Sequence, residues 1–195
     1  MRADFGAGSK QIFAGNILFV LCCVFYLVWW LLASKPVGPI KGMRSGWLLI
    51  PACITGLAGV ILIVRGIRAE PVRAALFPVK YLLWGGAAAY LVLLAVTLLL
   101  FKRPITTELL LIVGWVMLAL AEVNALYGAG RFSLPMSLVL SIVTGVMCIF
   151  CIVCYVLYYR LDNRAGYIDG ILPLLMAALV MAGISAGMVI GAVKQ

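Results

Sequence analysis

Glu122 is the only charged residue well inside a long apolar run, about two turns from the nearest run end marked by glycine and arginine. If that run is a helix centred near residue 117, the carboxyl lies roughly 7 Å from its middle. A charge at such a depth costs at least about 2.5–3.5 kcal/mol on insertion scales, so it must face a partner, a bundle interior or water. The chemistry this allows is the holding of a substrate, a cation or a proton. The plainer alternative is a structural carboxyl bonded to a neighbouring helix.

Other residues extend this candidate site. Asn124 and Tyr127 follow closely and, three apart, share one helix face. Trp115 precedes Glu122 by seven residues, and Glu108 precedes Trp115 by seven, giving a stripe of acid, indole and acid. Such a stripe suits the wall of a cavity for a cationic or amphipathic ligand, and equally suits ordinary packing with an acid at the membrane surface. Asn16, early in the first apolar run, is placed either to cap or to bond across helices. Lys80 and Asp169 open two other runs and form a candidate ion pair, although Asp169 near a helix start is also favoured by the macrodipole. Asp162, between Arg160 and Arg164, reads as a solvated loop residue.

Two further patterns offer different chemistry. Gly183, Gly187 and Gly191 recur every fourth residue and make a flat groove for close helix approach, within the chain or in a second copy. Ala52 with Gly56, and Gly85 with Ala89, are weaker versions. Cys148, Cys151 and Cys154 form a Cys-x-x-Cys-x-x-Cys series, a spacing used by redox pairs and metal sites. All six cysteines, Cys22, Cys23 and Cys53 included, lie in apolar runs and read more simply as small apolar side chains. With no histidine in the chain, His-ligated haem, His-bearing zinc sites and a Ser-His-Asp triad are excluded. There is no glycine-rich phosphate loop, and six acidic residues leave few candidates for two-carboxylate catalysis. The expectation is therefore a protein without cofactor or metal, leaning away from an enzyme.

The elements that must position these residues are membrane helices. The chain has 195 residues, of which 66% are hydrophobic and 11% charged, against about 25% charged in a soluble domain. Runs of about 18 or more uncharged apolar residues are long enough to span a bilayer. Six are expected, at 12–33, 46–64, 80–101, 107–127, 134–158 and 169–192. They form one all-α domain over 1–195, a polytopic bundle with short links and antiparallel neighbours. The first run is too long for a cleaved signal and is read as a retained helix. The links hold breaker residues: Pro36, Gly38, Pro39 and Gly42, then Pro71 and Pro78, then Lys102-Arg103-Pro104. Trp29, Trp30, Trp47, Tyr81, Trp84, Tyr158 and Tyr159 mark interfaces.

The net charge of +9 comes from residues beside the runs, which points to lipid headgroups rather than nucleic acid. Eight basic residues fall on one side of a six-span topology and seven on the other. The dense cluster Arg65, Arg68, Arg73 and Lys80 tips the expectation to cytoplasmic termini, with dual topology as the alternative, and the compact chain suggests a prokaryotic plasma membrane. A shift of 89 residues sets Ile54-Thr55-Gly56 over Val143-Thr144-Gly145 and Ala88-Ala89 over Ala177-Ala178, a hint of a 3+3 inverted repeat.

Length and span number are similar to those of the substrate-binding subunits of vitamin importers, although span one lacks the spaced alanines with which those subunits dock. The functional expectation is a small transporter, or the substrate-binding membrane subunit of one, for a small cationic or amphipathic solute. The alternative is a non-catalytic scaffold or dimeric interaction subunit packed through the span-six glycines. The expected partners are the lipid bilayer, a small solute, and a second copy or partner membrane subunit.

Overall fold

In a bilayer no water is available to peptide groups, so an apolar segment must satisfy its own backbone, and it does so as a helix. The computed structural model describes residues 6–33, 45–71, 73–100, 102 and 107–193, and these form a bundle of membrane-length helices. In chain order they are α1 (Ala7–Ala33), α2 (Leu49–Ala69) after a 3-10 turn (Ser45–Leu48), α3 (Val79–Leu99), α4 (Thr107–Gly128), α5 (Leu134–Leu157), the short α6 (Asn163–Asp169) and α7 (Leu172–Val193). Six of the described helical segments are long and apolar enough to cross a membrane, α6 and α7 together making the last. The protein is thus a multi-pass membrane-helix bundle. Most of the first link, and Arg103 and Pro104 of the third, lie outside the described residues.

The helix ends differ from expectation for local reasons. α1 starts five residues earlier than the expected 12, because its first turn packs on the end of α2. α2 continues past residue 64 and carries the exposed Arg65 and Arg68 beyond the apolar run. The sixth span is interrupted at Gly170–Ile171. Asp162 is exposed in the link, as a solvated loop residue, and there its carboxyl also accepts a 2.8 Å bond from the Ala165 N–H and caps α6. Asp169 accordingly ends α6 instead of opening a span.

The most extensive helix contact joins α1 to α2. It is built on glycines seven residues apart in each helix and matched antiparallel, Gly8 to Gly66 and Gly15 to Gly59. A Cβ on Gly15 would lie 2.8 Å from the Gly59 carbonyl oxygen, and one on Gly59 would lie 2.9 Å from that of Gly15. Gly8 and Gly66 block each other in the same way, at 2.8 and 2.7 Å. The two backbones therefore touch, which is how helices gain van der Waals contact where lipid removes the hydrophobic drive. Ile12 and Ile63, both fully buried, fill the space between these contacts.

α4 lies at the centre. Leu109, Ile112, Val116, Ala119, Val123 and Leu126 follow a three-four spacing and are buried. α7 packs on α1, α5 and α4, with Ala177, Met181, Ile184 and Met188 inward. α3 rests mainly on α4, and only Gly86 and Thr97 along it are buried. Leu83, Trp84, Leu91 and Val92 on α3 face outward as a lipid surface. Under the 89-residue shift, the α1–α2 and α1–α7 contacts correspond to α4–α5 and α4–α3. The packing of α7 on α5 has no counterpart of similar extent for α3 on α2.

Gly59→Ala is expected to lower stability by roughly 1–3 kcal/mol, the usual cost of overpacking. Gly145→Ala, whose Cβ meets nothing within 4 Å, should be neutral or gain up to about 1 kcal/mol in helix propensity. Thermal unfolding of both variants in the same detergent checks this; equal midpoints would remove the contact from the account.

Candidate functional site

Glu122 on α4 and Asn16 on α1 are both fully buried. They face one another, the Asn16 amide being the polar group that interacts with the Glu122 carboxyl. Neither makes a hydrogen bond of good geometry: both oxygens of Glu122 and both side-chain heteroatoms of Asn16 lack a partner. By helix rise, Asn16 is roughly 13 Å from the start of α1 and Glu122 roughly 9 Å from the end of α4. Those two ends lie on the same side of the bundle, so the two side chains sit at similar depth.

Several other buried hydroxyls are answered locally, although the Ser141 Oγ has no partner. Thr144 donates to the Leu140 carbonyl at 2.8 Å, Ser137 to Ser133 at 3.0 Å and Ser185 to Met181 at 3.0 Å, each on its own helix. Such back-bonding leaves little unanswered. A buried group without a partner costs about 1–3 kcal/mol, and more if charged. The arrangement at Glu122 and Asn16 is one that a bound proton, cation or hydrogen-bonding solute would complete.

The remaining expected site residues are placed differently. Asn124 is buried but turned to the link between α2 and α3. Its Oδ1 accepts from the N–H groups of Leu76 at 2.8 Å and Phe77 at 3.2 Å, and its Nδ2 donates to the Phe77 carbonyl at 3.1 Å. With the Arg73 N–H donating to the Gly128 carbonyl at 3.0 Å, this pins the link to the end of α4. Trp115 lies in the apolar core two turns from Glu122, and Tyr127 is half-buried near the end of α4. Glu108 is exposed at the start of α4, so the stripe runs from the surface into the core.

Lys80 and Asp169 are not brought together. The Lys80 ammonium lies 5.1 Å from the ring centre of Tyr81. Asp169 is buried beside the Cys154 thiol, with Oδ2 unpartnered. This far end of the bundle also carries Trp30, whose indole N–H donates to the Tyr167 carbonyl at 3.1 Å and whose ring centre is 6.1 Å from that of Tyr158. Burial, then the nearby Glu108 and Asp169 carboxyls, pushes the Tyr158 hydroxyl above its ordinary range. The six cysteines are all free thiols. Among the described residues no three His, Cys, Asp or Glu side chains are grouped to hold a metal.

Of the span-six glycines, two are already used within the chain. A Cβ on Gly187 would overlap the flexible end of Met136 on α5 and touch Phe132 in the turn before it, and one on Gly191 would lie 2.8 Å from the Arg131 carbonyl oxygen. Gly183 faces open space.

One polar contact was not legible in advance. Ser9 on α1 donates to the Glu70 carboxylate at 2.6 Å, with both residues buried. Glu70 ends α2 and serves as the negative group at the N-terminus of α1, where a carboxylate is favoured. Two adjacent residues at helix ends carry no spacing signal that would have paired them. Comparison with family models, with curated proteins and with solved structures gives no match.

Two stability outcomes follow from these contacts. Asn124→Ala should cost about 1–3 kcal/mol by leaving the Leu76 and Phe77 backbone groups unpaired. Glu122→Met should leave the midpoint unchanged or raise it, since replacing buried ionisable groups by apolar ones of similar volume is often stabilising by about 1–4 kcal/mol. Chemical or thermal unfolding in micelles reads both, and a strongly destabilised Glu122→Met would mark the carboxyl as structural.

Proposed function

We propose that this protein is a small membrane transporter, or the substrate-binding membrane subunit of one, for a small solute with a positive charge or an amphipathic build. The observation that supports this reading is the fully buried Glu122–Asn16 pair, whose side-chain heteroatoms lack partners at mid-bundle depth. A carboxyl at this position adds nothing to stability. A transported charge explains the cost, because the site is then answered only when loaded.

In this reading Glu122 is the charge partner or proton carrier and Asn16 supplies an amide that either donates or accepts. Trp115 and its neighbours provide an apolar wall further along α4. Asn124 acts indirectly, by fixing the end of α4, and Tyr127 is the hydrogen-bonding group nearest the surface. The two ligating side chains belong to different bodies: Asn16 travels with the glycine-locked α1–α2 pair, and Glu122 with the helices around α4. Movement of one body against the other would separate the pair and open the site, the general plan of rocking transporters.

The test is a thermal-shift screen of the detergent-purified protein against cationic and amphipathic metabolites, with Glu122→Gln and Asn16→Leu alongside. A solute at about a hundred times its Kd adds about 2.7 kcal/mol to the folded state. The expected result is a stabilising solute whose effect is lost in both variants. A blank across the set, or a shift that both variants keep, overturns the reading.

A further inference from the structure

Glu122 and Asn16 are fully buried, and none of their side-chain heteroatoms has a partner. The chemistry of those atoms narrows what completes them. An ionised carboxylate has two accepting oxygens and no donor, whereas an amide has one accepting oxygen and one donating nitrogen. Set face to face, they leave the Asn16 oxygen against a negative charge. A neutral carboxylic acid differs by one hydrogen and matches the amide. Its O–H donates to Asn16 Oδ1 while Asn16 Nδ2 donates to its carbonyl, so every heteroatom is answered in one cyclic pair. Other occupants fit less well. Calcium and magnesium take about six or more oxygen ligands. The pair offers only the two Glu122 oxygens and Asn16 Oδ1, and among the described residues no three His, Cys, Asp or Glu side chains are grouped. A water molecule would bond to both groups but leave a carboxylate charge buried without a counter-ion.

The surrounding helices supply no cation among the described residues. There the Asn16 amide is the one side chain acting on the Glu122 carboxyl. α4 packs on α2, α3, α5 and α7, and α7 carries no titratable residue. Lys10 on α1, Arg65 and Arg68 on α2, and Lys80 and Tyr81 on α3 are exposed near their helix ends. Arg73 and Arg131 lie in the links, and Glu70 at the end of α2 takes the Ser9 hydroxyl. Tyr90 on α3 and Tyr127 on α4 are half-buried. The thiols of α1, α2 and α5, with Tyr26, Glu108 and Tyr155, belong to the half of the bundle nearer α6.

We propose that the ligand of this site in the closed bundle is a proton, held by Glu122 in a cyclic acid–amide pair with Asn16, and that a cationic solute enters by exchange for it. The exchange rests on the transport reading above; the proton does not. Each exchange balances in charge. One monovalent cation arrives, the carboxyl O–H bond breaks, and one proton leaves. The buried site is therefore neutral before and after, and the carboxylate is never in lipid without a cation.

Infrared difference spectroscopy of the full chain in detergent tests the proton. At neutral pH wild type should show the C=O stretch of a protonated carboxylic acid that Glu122→Gln lacks. Asn16→Leu should keep that band but move it to higher frequency, since the acid carbonyl loses a hydrogen bond. Should Glu122→Gln fail to fold, Glu122→Met serves in its place. Identical spectra of wild type and the Glu122 variant in this region overturn the proton, and a band unmoved in Asn16→Leu overturns the pairing. Binding of benzyltrimethylammonium, an amphipathic cation that does not itself titrate, tests the exchange. Its affinity should rise about tenfold per pH unit over the range where the acid band persists, as one proton traded for one cation requires. Glu122→Gln should not bind it. A pH-independent affinity overturns the exchange and leaves transport standing. An acid band in a wild type that does not bind the cation overturns the exchange and keeps the proton, and the metabolite screen then decides the transport reading separately.

Discussion

The contact of α1 with α2 is made where both helices lack side chains, at Gly8 with Gly66 and Gly15 with Gly59. Within lipid, apolar side chains gain nothing by leaving their solvent, so packing density and polar contacts must hold helices together. Backbone contact at two points one heptad apart packs the pair closely and ties α1 to α2 as one unit. Much of the rest is arranged around that body: α7 lies along α1, α4 touches α2, and α3 is attached through α4. The Ser9–Glu70 bond closes the same pair at its outer end, where a carboxylate offsets the positive end of α1.

The interior also sorts its polar groups by whether they are answered. The Thr55, Thr144 and Ser185 hydroxyls return to carbonyls of their own helices, and the Asn124 amide is taken up by the α2–α3 link. Glu122 and Asn16 alone combine full burial with every side-chain heteroatom unanswered, among the described residues. They also sit where the glycine-packed hairpin of α1 and α2 meets the helices around α4. Cost and location together make this boundary the place where a solute would have most effect on the protein, since filling it changes the balance between closed and parted helices.

Much of the architecture was legible because it rests on composition alone. Six apolar runs of adequate length can only be six helices in a bilayer, and the lone charge at Glu122 stands out within one of them. What the sequence hid was contact. That Asn16 meets Glu122 depends on α1 packing near α4, which no local pattern encodes. Asn124 looked like a site residue because polar residues in spans are rare, yet its use is to hold a link. The visible glycine series in span six is partly covered by the α5 start, whereas the tighter α1–α2 contact sets Gly8 and Gly15 of α1 against Gly66 and Gly59 of α2, with Gly56 against Cys22, and their meaning appears only when the helices are set side by side. The break before α7 escaped because Gly170 and Ile171 do not interrupt the hydropathy.

That the hairpin precedes α4 in chain order has a consequence for biosynthesis. α1 and α2 are complete at Ala69, before any of α4 has been made, and their contact needs no later segment. A chain that enters the bilayer in sequence order can therefore install this pair before α4. Asn16, the cheaper of the two buried polar residues because it carries no charge, is then already in place when Glu122 is inserted. The order in which the ribosome delivers the helices thus gives the costly carboxyl a nearby amide on arrival, instead of leaving it to enter lipid alone.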